Sequence, residues 1–236
     1  MNNNSIPIED FFDILENSAS LRLKLLSDLH SITTNVDLDI SCRFHHIRSN
    51  IPTLYSQYEG FVKDIFNSIP RLLSSVDKCN KIKNIYLSLY ISCSLFYQKD
   101  LKFCNHVKNI DKCVNSFFDD SKPYFCDYII DKIKVPHEDK LYEFLKLFEF
   151  NNELISKFEV SNNKIKTYYR RRNNIIHGSI GDDNCSGFNL SDTITNDELN
   201  TYLSRWNEEY DFIKDIIALL KEEVCEWAQN KLYEYH

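Results

Sequence analysis

An all-α fold follows from three observations. Helix breakers are scarce: the 236 residues contain four Gly and five Pro, three of the Gly fall together at 178, 181 and 187, and no Pro follows Pro136. Apolar residues recur at helical spacing along most of the chain. No stretch shows the strict alternation of a half-buried strand. With 43% hydrophobic and 14% aromatic residues, the chain can bury a sizeable core and does not read as a disordered tail.

Each element has its own signal. Residues 8–32 place Phe11, Phe12, Leu15, Leu21, Leu25, Leu26 and Leu29 at helical spacing, with a soft spot near Ser18. Residues 33–41 interrupt that pattern. Pro52 then suits the first turn of a second helix, where a missing N–H costs nothing. Ile51, Leu54, Tyr55, Tyr58, Val62, Ile65, Phe66 and Ile69 form its stripe, and Pro70 follows it. Residues 76–98 repeat the pattern. Residues 99–137, with Pro123 and Pro136, predict short helices, and 138–158 predict another helix around Leu141, Phe144, Phe148, Leu154 and Phe158. Ser161 reads as the N-cap of a helix ending at Gly178. Residues 179–194 are loop-like. Thr195 to Glu198 reads as a capping box. It opens a long C-terminal helix with Leu199, Tyr202, Trp206, Tyr210, Ile213, Ile217, Leu220, Val224 and Trp227 on one stripe, some 60 Å long if unbroken. The organisation expected is an N-terminal helical extension over 1–40 and a helical domain over 41–236, or one continuous domain.

Charge and cysteine usage narrow the classes. The net charge of −7 argues against a protein that coats nucleic acid with a basic surface, so contact with RNA would need a local patch. None of the eight Cys forms a Cys-x-x-Cys pair, and they read as reduced, mostly buried thiols. Cys42, His45 and His46 lie close together but match no closed zinc site. The first ten residues have no basic residue and no apolar segment of a signal peptide, and no run approaches the ~18 apolar residues of a membrane span. The expectation is a cytoplasmic protein with no metal or other cofactor and no membrane partner.

Residues 170–178 carry the chemistry: Arg-Arg-Arg-Asn-Asn-Ile-Ile-His-Gly. Arg grips phosphate with a fixed fork of donors, and His gives or takes a proton near neutrality. Lys164, Lys166, Arg170, Arg171 and Arg172 put five positive charges within nine residues, and no acid stands between Val160 and Gly181. A solvated helix face has the same composition; the adjacent His177 favours phosphate contact. A bare Arg, four to six residues, then His arises by chance roughly 0.7 times in a chain with this many Arg and His. Specificity therefore rests on the flanks, Asn173, Ile175, Ile176 and Gly178.

Arg172-Asn173-Asn174-Ile175-Ile176-His177-Gly178 resembles the signature of the HEPN superfamily (higher-eukaryote and prokaryote nucleotide-binding domains). Tyr55, Tyr58, Glu59, Gly60 and Phe61 are similar to a second marker of one prokaryotic branch, a helix bearing Tyr/Trp-Glu-Gly-Phe. The resemblance covers residues 45–232 and implies a HEPN-like helical bundle. Many such proteins are metal-independent ribonucleases in toxin–antitoxin and antiphage systems, held in check by a cognate antitoxin or another regulator. Others have lost catalysis and serve as dimeric helical modules that bind RNA or protein. Retention of Arg, Asn and His favours the endoribonuclease. Some members carry Tyr two residues after the His as an AMP-acceptor; Ser179 stands there, so that mode of control is not expected.

The chemistry expected is attack of a 2′-hydroxyl on phosphorus, with His177 moving protons and Arg offsetting charge on the phosphorane. The products would be a 2′,3′-cyclic phosphate and a 5′-hydroxyl. Residues five apart on a helix stand about 140° apart, so Arg172 and His177 do not share a face. Asn173 and Arg170 do share one with His177. Either the helix end distorts, or two chains meet about a two-fold axis; the resemblance implies the second, a homodimer with a composite cleft. It also points to Arg172 as the phosphate ligand, whereas helix geometry favours Arg170. Asn173 would orient His177 or the phosphate, with Lys164, Lys166 and Arg171 adding affinity. Glu59 is either an acidic member of the cleft, paired with Arg172 or His177, or an i,i+4 partner of Lys63.

Overall fold

The computed structural model describes residues 5–34, 37–78, 81–83, 86, 108, 111, 114, 115, 150, 152–177 and 193–235. Among them stand four long helices, α1 (Ile8–Thr33), α2 (Ile40–Leu73), α3 (Asn152–Ile176) and α4 (Asn196–Gln229). The described residues form no strand, only an isolated antiparallel bridge between Ile82 and Glu234. The protein is all-α, as its scarcity of breakers predicts. The expected helix over 76–98 and the short helices over 99–137 lie largely outside the described residues, as do Gly178 and nearly all of the 179–194 loop. None of the described helices is long and apolar enough to cross a membrane.

Several boundaries differ from the sequence reading. The second helix does not begin at Pro52 or stop before Pro70; both prolines lie inside α2. It starts at Ile40 because Asp39 caps it, its Oδ1 accepting from Cys42 N at 2.9 Å. Phe44, Ile47 and Ile51 carry the buried stripe upstream of Pro52, and Leu72 and Leu73 carry it past Pro70. Continuous burial outweighs the hydrogen bond each proline removes, a cost of about 3 kcal/mol or more. Ser161 likewise does not open a helix: α3 runs unbroken through it. Phe158 and Ile165, seven apart, are both buried on one face, so packing continues across the polar residues between them. Phe150, expected in helix, precedes α3 as irregular backbone and packs on Trp227 at 5.7 Å between ring centroids.

The chain forms two compact units, one of Met1–Asn17, Val62–Ile155 and Lys221–His236, the other of Ser18–Phe61 and Ser156–Leu220. In the first, Trp227 is the hub. Its Nε1 donates to the Tyr86 hydroxyl at 3.1 Å, and its ring meets those of Tyr86, Phe150 and Tyr233. Lys221 donates to Glu16 at 2.8 Å, which holds the lysine above its ordinary pKa. The end of α4 is a Schellman motif: Leu232 N bonds to Trp227 O and Lys231 N to Ala228 O, both at 3.1 Å. Lys231 takes the left-handed conformation usually given to Gly, with φ 49°. The last helix therefore stops at Gln229, at about 51 Å by its rise per residue, short of the 60 Å expected.

The second unit is a cycle of four helix pairs. Segments of α1 and α2 meet where Asn50 donates to Thr33 at 3.2 Å. Tyr55 of α2 meets Tyr169 of α3, and Tyr168 of α3 meets Phe212 of α4. His30 of α1 lies against Tyr210 and Trp206 of α4, at 4.5 and 5.5 Å. Leu26, Phe44, Ile51, Phe61, Trp206 and Ile217 fill the centre. Leu21 and Leu25, placed on the α1 stripe from sequence, are exposed, whereas Ala19 is buried. The buried line runs through Ala19, Leu26 and Thr33, and Leu21 falls well off it.

The start of α4 is as the sequence predicts. Glu198 Oε2 accepts from Thr195 N at 2.8 Å and from its hydroxyl at 2.9 Å, while Thr195 Oγ1 accepts from Glu198 N at 3.3 Å. The Thr195 backbone N–H, then its hydroxyl, hold the Glu198 carboxyl below its ordinary range.

Candidate active site

Helix α3 carries the arginines and leads directly into His177, and its register sorts the five cations. Residues 164, 168 and 171 turn to α4. Lys164 pairs with Glu208 at 3.0 Å, both well exposed. Arg171 pairs with Glu209, whose side chain is only 3% exposed, and its guanidinium lies 5.9 Å from the Tyr168 ring. Burial, then the Glu208 carboxylate, push Tyr168 up to about 12, with Arg171 opposing. Arg171, expected on the substrate, is thus engaged by a buried acid, and Lys164 by a surface one. A cavity of about 340 Å³ opens between these residues and Arg205. Its lining sets two carboxylates, Glu208 and Glu209, against three cations, Lys164, Arg171 and Arg205, two of which are already paired with those acids.

Residues 169 and 172 turn to α2. Arg172 Nη2 lies 3.9 Å from Glu59 Oε2, with both side chains part-exposed. Arg172 Nη1 donates to Asn173 Oδ1 at 2.7 Å. Of the alternatives for Glu59, the structure therefore brings it to Arg172.

The third direction belongs to Lys166, Arg170, Asn173 and His177. Steps of four, three and four residues keep them within an arc of about 60°. Lys166 and Asn173 are half-buried; Arg170 and His177 are exposed. No ion pair among the described residues holds Arg170 or His177. The helical register persists to the end, since His177 N donates to Asn173 O at 2.9 Å. Unwinding before His177 does not bring Arg172 round. Arg172 reaches the stripe through Asn173 instead.

The second marker has its own geometry. Gly60 lies on α2 where the Arg22 guanidinium of α1 rests on the helix backbone. A Cβ at Gly60 would stand 2.5 Å from Arg22 Nη1 and 2.8 Å from Cζ. Arg22 is steadied by Ser18 at 3.3 Å and Gln57 at 3.4 Å. The sequence reading did not single out Arg22; the signal available was a Gly inside a strong helical stripe, which implies close approach. Of the eight Cys, Cys42 and Cys225 are free, and the other six lie outside the described residues. Cys42, in the first turn of α2, is exposed, and Cys225 is half-buried.

No curated protein and no solved structure matches this chain. A model of the RiboL-PSP-HEPN family matches residues 17–226, a span that holds all of α2 and α3 and so both motifs. By that match across most of its length, the chain belongs to the RiboL-PSP-HEPN family and hence to the HEPN superfamily.

Proposed function

We propose that this protein is a metal-independent endoribonuclease of the cytoplasm, working as a toxin or antiphage effector under an antitoxin or other regulator. The observation that carries the reading is the α3 stripe, where Arg170, Asn173 and His177 share one accessible face and Arg172 is bonded to its Asn. Side chains of these types supply what RNA cleavage needs. A neutral His177 takes the proton of the 2′-hydroxyl as its oxygen attacks phosphorus. A protonated His gives a proton to the departing 5′-oxygen. The P–O5′ bond breaks, leaving a 2′,3′-cyclic phosphate and a 5′-hydroxyl. One His177 per chain is provided, so two copies about a two-fold axis would supply base and acid together. Arginine donors offset the negative charge that builds on phosphorus.

The test is cleavage of RNA in EDTA by the full chain and by His177→Ala. The expected result is cyclic-phosphate ends from the wild type and a rate lower by roughly 10²–10⁴-fold in the variant. Binding without cleavage by the wild type would overturn the enzyme reading in favour of an RNA-binding module. A strict monomer with full activity would overturn the composite cleft.

A further inference from the structure

We infer that the two arginines flanking Arg171 divide the work: Arg170 is the ligand of substrate phosphate, and Arg172 is a positioning residue that acts through Asn173. The inference rests on the ribonuclease reading above and assigns roles within its site. Arg170 lies on the same stripe as His177, is exposed, and has no ion-pair partner among the described residues. An extended strand along this stripe meets Lys166, Arg170, Asn173 and His177 in turn over about 16 Å of helix. That run suits single-stranded RNA, whose phosphates follow one another along a groove of positive charge.

Arg172 stands differently. It points some 140° away from His177 by helical register, and both ends of its fork are engaged. One nitrogen donates to Asn173 Oδ1 at 2.7 Å and the other faces Glu59 at 3.9 Å. A guanidinium beside a carboxylate is a partly neutralised phosphate ligand. It is a good brace. By occupying Oδ1 it fixes which end of the Asn173 amide is left over. The Nδ2 donors remain, one helical turn from His177, to hold a phosphate oxygen or the imidazole. Glu59 in turn orients Arg172. The chain of action runs Glu59, Arg172, Asn173, substrate, and the two sequence motifs meet in it.

The experiment measures binding and cleavage of a single-stranded RNA oligonucleotide of mixed sequence, in EDTA, by the full chain. Binding is read in a His177→Ala background across a salt series. Arg170→Ala is expected to weaken affinity and lower the slope of log K against log salt by roughly one phosphate contact. Arg170→Lys should restore the slope. Arg172→Ala should leave that slope and KM nearly unchanged and lower kcat, roughly up to 10²-fold, as a misplaced group does. Arg172→Ala combined with Asn173→Ala should be no slower than Asn173→Ala alone, since the arginine acts through the amide. A salt slope lost with Arg172→Ala and kept with Arg170→Ala overturns the inference, as do fully additive effects of the 172 and 173 changes. Wild-type protein that binds but does not cleave sinks the ribonuclease reading alone; the salt series then still decides which arginine holds phosphate. Absence of RNA binding at low salt overturns both.

Discussion

One helix presents two flanks built from the same residue types, and they have opposite fates. Toward α4, Lys164 and Arg171 meet Glu208 and Glu209, and Tyr168 is buried between them. On the stripe of Arg170, Asn173 and His177, no ion pair among the described residues holds Arg170 or His177. Seven-residue spacing sends 164 and 171 one way, and 170 and 177 another. A run of five cations within nine residues is therefore divided three ways: Lys164 and Arg171 clamp to α4, Arg172 braces Asn173 beside α2, and Lys166 and Arg170 lie on the stripe proposed to meet substrate. Charge counted along a sequence says nothing of this division; the opposing helix decides it.

The contrast can be broken experimentally, and the largest effect should be on activity. His177→Ala is expected to remove RNA cleavage by roughly 10²–10⁴-fold while shifting the unfolding midpoint little, because an exposed side chain outside the core contributes little to stability. A large loss of stability would place His177 with the clamp. Arg171→Ala should do the reverse. It leaves the buried Glu209 carboxylate without its cation, at about 3–5 kcal/mol in denaturant unfolding. Arg171→Met with Glu209→Leu should recover most of that loss, since an apolar pair of similar volume avoids the desolvation. Arg170→Ala, by contrast, should fall within about 0.5 kcal/mol of wild type.

A smaller effect is expected at alkaline pH. Burial first, and Glu208 second, raise Tyr168 from 10.0 to about 12. The folded protein thus keeps that proton more tightly than the unfolded chain. Its contribution is fully present below pH 10 and is lost as pH rises from 10 toward about 12. Tyr168→Phe should flatten part of the fall in melting temperature across that window; an unchanged slope would show that its hydroxyl is not the group responsible. The smallest effect belongs to Lys164 and Glu208, both more than half exposed. A double-mutant cycle on that pair should give no more than about 1 kcal/mol and should fade in high salt.

What could be read from the chain without coordinates follows the range of each interaction. The capping box at Thr195 and the stripe of α4 are local patterns, and both form as written. Pro52 and Ser161 misled because their local preferences are real but weaker than continued burial by Ile51 or Ile165. The residues of the candidate site were named from two short motifs, and the structure brings Glu59 of one beside Arg172 of the other. The pairing of Arg171 with Glu209 was not legible, because Glu209 lies on another helix and nothing near it in sequence marks it as buried. The seat of Arg22 on Gly60 was half legible: the Gly signalled close approach, but not which side chain approaches.

The two tryptophans have a consequence for measurement. Trp206 lies at the centre of one compact unit and Trp227 at the hub of the other, and both are almost wholly shielded from water. Each is a built-in fluorophore for its own unit. Trp206→Phe leaves an emission signal from the Trp227 cluster alone, and Trp227→Phe leaves one from the bundle that carries Arg170 and His177. Coincident red shifts during unfolding would mean one cooperative transition, and separated shifts would reveal two.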